Sequence, residues 1–120
     1  MNVDAALKEA MGIDGAVGAA LVDYTSGMAL GTLGSSKDLD LSVAAAGNTE
    51  VVRAKLKTMS LLKLNDGIED ILITLGRQYH IIRPVAKKPG LFLYLVLDKS
   101  KSNLALARRK VSDVESTLAV

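Results

Sequence analysis

Seven apolar residues stand in succession at Leu91-Phe92-Leu93-Tyr94-Leu95-Val96-Leu97, between the turn residues Pro89-Gly90 and Asp98. So short a run bounded by turn signals reads as a strand. Successive side chains of a strand point to opposite faces, so both faces of this one are apolar. A strand of that kind belongs in a sheet covered from both sides. The sequence before it continues the pattern backwards. Ile71, Ile73 and Leu75 alternate with less apolar residues, Gly76-Arg77-Gln78 makes a turn, and Tyr79 to Val85 runs extended up to a second turn at 86–90. After Asp98 the period changes. Leu104, Ala107, Val111, Val114 and Leu118 share one stripe of a helix. Residues 68–118 are therefore three consecutive strands and a helix.

The first half is built from smaller side chains. Val3, Leu7 and Met11, with Ala6 and Ala10 beside them, mark a short amphipathic helix ending near Gly12. Ala16 to Val22 reads as a strand containing Ala16, Gly18, Ala19 and Ala20, small enough for a helix to lie close against it. Asp23-Tyr24-Thr25-Ser26-Gly27 supplies a hairpin turn, and Met28 to Leu33 returns as a second strand. Gly31 predicts that this strand is bulged or lies at an edge. Ser35-Ser36-Lys37-Asp38 is a loop with helix-capping residues, and Asp38 and Asp40 suit a helix start.

A long helix then runs from about Leu39 to about Leu64, ended by Asn65-Asp66-Gly67. It would be roughly 37 Å long. It carries two apolar stripes. The broad one, Leu41, Ala44, Ala45, Val51, Val52, Leu56, Met59 and Leu62, is predicted to pack on the sheet. The narrow one, Val43, Gly47, Ala54 and Leu61, lies well around the helix. One sheet can bury only one of these faces, and small residues permit close helix–helix approach, so a second copy of the chain is inferred to cover the other. Single exposed apolar residues are ordinary, and the inference rests on their alignment.

The order is αββαβββα. The expected fold class is α/β in the broad sense (α+β), a five-stranded antiparallel sheet with the long helix on one face and the terminal helices on the other. No repeat, linker or low-complexity segment divides the chain, and 120 residues predict a single domain over 1–120. The composition, 49% hydrophobic and 23% charged with two prolines, is that of a foldable globular chain. There is no cysteine, which excludes disulfides and thiolate metal sites. The first residues lack a basic secretory start, and no apolar run approaches the roughly 20 residues of a membrane span. A cytoplasmic location is the expectation.

Charge is unevenly placed. Residues 1–50 hold two basic and seven acidic side chains, a balance of −5, and residues 51–120 hold thirteen basic and six acidic, a balance of +7. The basic residues are either a solvated face or a surface that steers an acidic partner. Catalytic templates fail. Gly31-Thr32-Leu33-Gly34-Ser35-Ser36-Lys37 lacks the spacing and order of a phosphate-binding loop. Gly12, Gly15 and Gly18 precede and enter a strand, whereas the dinucleotide fingerprint follows one. His80 is the only histidine, no nucleophile-elbow motif accompanies it, and it reads as structural or surface. Glu69 and Asp70 are adjacent and would point to opposite faces of a strand. No catalytic, cofactor-binding or metal-binding residue is expected.

The words Thr74-Leu75-Gly76-Arg77-Gln78-Tyr79-His80-Ile81-Ile82-Arg83-Pro84, Asp98-Lys99-Ser100 leading into Asn103-Leu104-Ala105-Leu106-Ala107-Arg108, and Gly18-Ala19-Ala20-Leu21-Val22-Asp23 before Ser26-Gly27, in this order of elements, resemble the roadblock (dynein light chain) family over essentially the whole chain. The resemblance implies a roadblock/profilin-like fold and a non-catalytic protein–protein interaction role. It implies a homodimeric regulator or scaffold of a small Ras-like GTPase, acting on its nucleotide cycle, as a GTPase-activating protein for example, or on its localisation. Dimers of the family join their third strands and appose their long helices, which here implicates Val43, Gly47, Ala54, Leu61, Ile71 and Ile73. The GTPase would then meet Glu50, Arg53 and Lys57 across the paired helices, and Arg53 or Arg77 is a candidate arginine finger. Heterodimers also occur in the family. A dynein-type adaptor and a small-ligand sensor are the alternatives. A nucleic-acid binder is disfavoured because no aromatic platform interleaves with the basic residues.

Overall fold

The computed structural model describes residues 1–120. In chain order it comprises α1 (Val3–Met11), β1 (Ala16–Asp23), β2 (Met28–Leu33), α2 (Leu41–Leu61), β3 (Ile71–Thr74), β4 (Gln78–Pro84), β5 (Leu91–Asp98), a 3-10 turn at Lys99–Lys101, and α3 (Leu104–Thr117). The five strands form one antiparallel sheet in the order β2-β1-β5-β4-β3. The seven-residue apolar run is thus the central strand, where both of its faces are needed. Leu91, Leu93, Leu95 and Leu97 join Leu7, Ile13, Val111 and Leu118 in the core beneath α1 and α3. Phe92, Tyr94 and Val96 join Leu41, Ala45 and Val52 in the core beneath α2.

Small residues set the spacing of the layers. A Cβ on Gly18 would lie 2.6 Å from Cδ2 of Leu39, and one on Gly31 would lie 2.9 Å from Cγ1 of Val3. The strand–helix approach predicted for β1 therefore holds, and β2 repeats it on the opposite face. β2 is an edge strand, and its pairing with β1 slips at Leu21/Val22, a bulge that leaves Leu30 off the ladder. Each helix is capped by a side chain. Asn2 accepts from Ala5 N, Asp40 from Ser42 N and Val43 N, and Asn103 from Leu106 N. Asp38, expected at the helix start beside Asp40, caps nothing and sits exposed in the preceding loop.

Two expectations for the long helix are corrected. Its end comes at Leu61 rather than Leu64, and Asn65-Asp66-Gly67 do not end it. Lys63 takes the left-handed conformation, φ 56°. The Leu64 N–H bonds Met59 O and the Lys63 N–H bonds Ser60 O, each at 3.0 Å. This is a Schellman ending with lysine where glycine is usual. The core stripe is also narrower than predicted. Leu41, Ala45, Val52 and Met59 are buried with Thr49, whose hydroxyl donates to Ala45 O, while Ala44 is half-buried. Val51, Leu56 and Leu62 are exposed. Beyond Val52 only Met59 is buried, so the C-terminal half of α2 is scarcely embedded in this subunit.

Candidate interaction surface

Side chains on a helix advance about 100° per residue. Val43, Gly47, Ala54 and Leu61 consequently share a line on the side of α2 away from the sheet. All four are exposed, Val43 to 67% and Leu61 to 74%, and no atom lies within 4 Å of where a Cβ on Gly47 would stand. Glu50, Arg53 and Lys57 are exposed on the same helix, and Glu50 and Arg53 form only a 4.0 Å surface pair.

β3 pairs with β4 alone, and its outer edge is open. Ile71 and Ile73 are half-buried against the α2-side core, whereas Leu72 faces the other core. The helix stripe and the two isoleucines thus lie in the same layer but are not contiguous. Between them runs a groove of about 520 Å³ whose apolar lining is Val51, Met59, Leu64, Ile68 and Ile71, with Lys55, Asp66, Glu69 and Asp70 around it. The sequence reading assigned Val51 to the core and gave Leu64 and Ile68 no surface role. Their signal was apolar residues on either side of a turn rich in Asn, Asp and Gly.

The segment entering β3 is held from the far side of the sheet. Asp70 receives two bonds from Arg108 of α3, Nε to Oδ2 and Nη2 to Oδ1, both 2.9 Å. The hydrogen bonds from Arg108 to Asp70, and the charge of that carboxylate, raise the guanidinium pKa further. Asp70 is therefore an anchor for the edge, and Glu69 beside it is exposed.

A polar cluster joins β4 to β5 next to that edge. His80 pairs with Ile73 across β3 and β4. Its Nε2 lies 2.9 Å from Gln78 Oε1 and its Nδ1 lies 2.9 Å from Tyr94 Oη. The amide oxygen only accepts, so Nε2 carries the proton and the tyrosine hydroxyl donates to Nδ1. The rings meet edge to face, with centroids 5.6 Å apart. Burial lowers the His80 pKa below 6.5. Burial raises that of Tyr94, with hydrogen bonding from Asn48 of α2 working in the opposite direction. Both nitrogens of His80 are thus hydrogen-bonded within the sheet. Arg77 lies in the β3–β4 turn, exposed, where its carbonyl accepts from Lys99 N at 3.0 Å.

No protein-family model matches the chain, and no curated protein matches it in sequence. Solved structures do match in shape. MglB of Myxococcus xanthus superposes with a TM-score of 0.75 at 18% identity, over 93% of this chain and 77% of that one. A roadblock/LC7 domain from Streptomyces avermitilis gives 0.82 at 10% identity, over 98% and 94%. The gliding protein MglB of Thermus thermophilus gives 0.75 at 20% identity, over 94% and 84%. The chain has the roadblock fold, as its sequence words implied.

Proposed function

We propose that this protein is a non-catalytic, homodimeric regulator or scaffold of a small Ras-like GTPase. The pairing is supported by one observation above others. α2 presents an aligned, exposed apolar stripe on the side away from its own sheet, across a groove from an open, uncharged strand edge at β3. Joining β3 to β3 and α2 to α2 would cover the stripe, Ile71, Ile73 and the groove between them. The GTPase assignment is supported by the fold, shared with roadblock domains and MglB proteins. The exposed Arg53 and Lys57 give the paired helices a basic face for an acidic partner.

A regulator of this kind acts by binding one conformation of its partner more tightly than another. Light scattering tests the pairing. The wild-type chain is expected at twice the subunit mass and the Ala54→Glu variant at the subunit mass; an Ala54→Glu variant of wild-type mass and melting temperature removes α2 from the interface. Hydrolysis assays with a small Ras-like GTPase of the same organism test the partner. Arg53→Ala and Lys57→Ala are each expected to weaken association about two- to fivefold, the scale of exposed ion pairs. An arginine finger contributes about 10³–10⁵ in rate. The maximal rate is expected to be unchanged in Arg53→Ala and Arg77→Ala, and a collapse in either one replaces conformational selection with an inserted arginine.

A further inference from the structure

The second open edge of the sheet, β2, carries its own signs of a partner. Met28-Ala29-Leu30-Gly31-Thr32-Leu33 contains no charged residue and no proline, two of the usual guards of an edge strand, and keeps one other, the bulge opposite Leu21/Val22. Met28, Leu30 and Leu33 are exposed to 67%, 53% and 39%, and the bulge turns Leu30 outward. The surroundings are acidic. Asp4 and Lys8 border the small groove beside Thr32 and Leu33, Asp23 stands opposite Met28 in register, and Lys37, Asp38 and Asp40 follow in the next loop, four carboxylates against two lysines. None of these four carboxylates belongs to an ion pair; the three in the molecule are Arg53–Glu50, Arg83–Glu115 and Arg108–Asp70. Residues 1–40 hold only Lys8 and Lys37 against six carboxylates.

We propose that the outer edge of β2 accepts an extended segment of another protein as a sixth strand, one with apolar side chains in alternation and lysine or arginine at its ends. Backbone hydrogen bonds along the edge supply affinity for any extended chain. The exposed apolar side chains select alternation, and the unpaired carboxylates select positive ends and speed the encounter. The site is independent of pairing through β3. Its probe is a fluorescein-labelled peptide of alternating valine and threonine with lysine at both ends, compared with the same peptide ended by glutamate. Both are titrated into the full chain at low salt while backbone amide shifts are followed. The lysine-ended peptide is expected to bind at least tenfold tighter, to shift Met28–Leu33, and to lose at least tenfold in affinity on Leu30→Lys. Ala54→Glu is expected to leave its affinity within twofold, whatever that variant does to the dimer. Absent binding, equal binding of the two peptides, or shifts confined to β3 would overturn the proposal. So would a lower sedimentation mass for Leu30→Lys than for wild type, which gives the edge to a second copy of this chain.

Discussion

At the scale of single residues, the fold depends on a few polar groups that are fully engaged. Glu115 is only 5% exposed. One of its oxygens accepts from Arg83 Nε at 3.0 Å and the other from Ala86 N at 3.4 Å. It joins α3 to β4 and to the turn that follows. Glu115→Ala leaves a guanidinium and a peptide N–H without partners beneath the helix, and is expected to cost about 3–5 kcal/mol, measured by urea unfolding. His80 gives the chain its acid response. Its folded pKa lies below 6.5 because burial opposes the charged ring. The residues bonded to it or opposite it in the sheet, Gln78, Tyr94, Ile73 and Val96, include no carboxylate to stabilise an imidazolium. As pH falls below about 6.5 the unfolded chain takes up a proton that the folded chain resists, so stability declines until the folded pKa is passed. Asp23 and Asp98 are held below the ordinary 3.8 by hydrogen bonds from Thr25 and Ser100, and their contributions fade only as pH falls below that value. The urea midpoint is therefore expected to fall as pH drops below about 6.5 in the wild type and to stay nearly level over the same range in His80→Gln.

At the scale of elements, the end of α2 is the place to improve the chain. A non-glycine residue in the left-handed region is disfavoured by about 1 kcal/mol. Lys63 is exposed and forms no ion pair, so Lys63→Gly is expected to raise the unfolding free energy by about 0.5–1 kcal/mol. A fall in the melting temperature of that variant would show that the lysine has a role of its own. The same helix shows what the sequence made legible. Strands β4 and β5 are readable almost to their ends, because apolar runs and Pro-Gly turns mark where pairing starts and stops. Asp40 is readable as a helix-start residue, but its place as the cap is not, since capping residues also stand at Ser35, Ser36 and Asp38 and the apolar period already admits Leu39. Nor is the helix end, since glycine chemistry points to Gly67 while the backbone turns at Lys63. The width of the core stripe is hidden for another reason. Periodicity tells which residues share a face, but not how far the sheet extends beneath it, and Val51, Leu56 and Leu62 fall where it gives little cover. Thr49 is polar and carries no core signal, although bonding to Ala45 O lets it be buried. The groove next to β3 depends on how a non-repetitive segment, 62–70, folds back, and no period describes that.

At the scale of the whole molecule, a sheet with two open edges and a half-embedded helix predicts that stability depends on concentration. A pairing that exists only in the folded state raises the melting temperature as protein concentration rises. Scans across a roughly hundredfold range are expected to show that rise in the wild type and none in Ala54→Glu; a flat series for both leaves the folded unit a single chain. The stripe on α2 sharpens the point. Gly47 sits mid-helix with empty space where its side chain would be, and glycine there weakens a helix by about 1 kcal/mol relative to alanine. Nothing inside the subunit requires that sacrifice. If the proposed pairing holds, a methyl group added at this spot would toughen each protomer taken singly while wedging two of them apart, and the weakest link of the lone helix would be where a neighbour's backbone has the shortest way in.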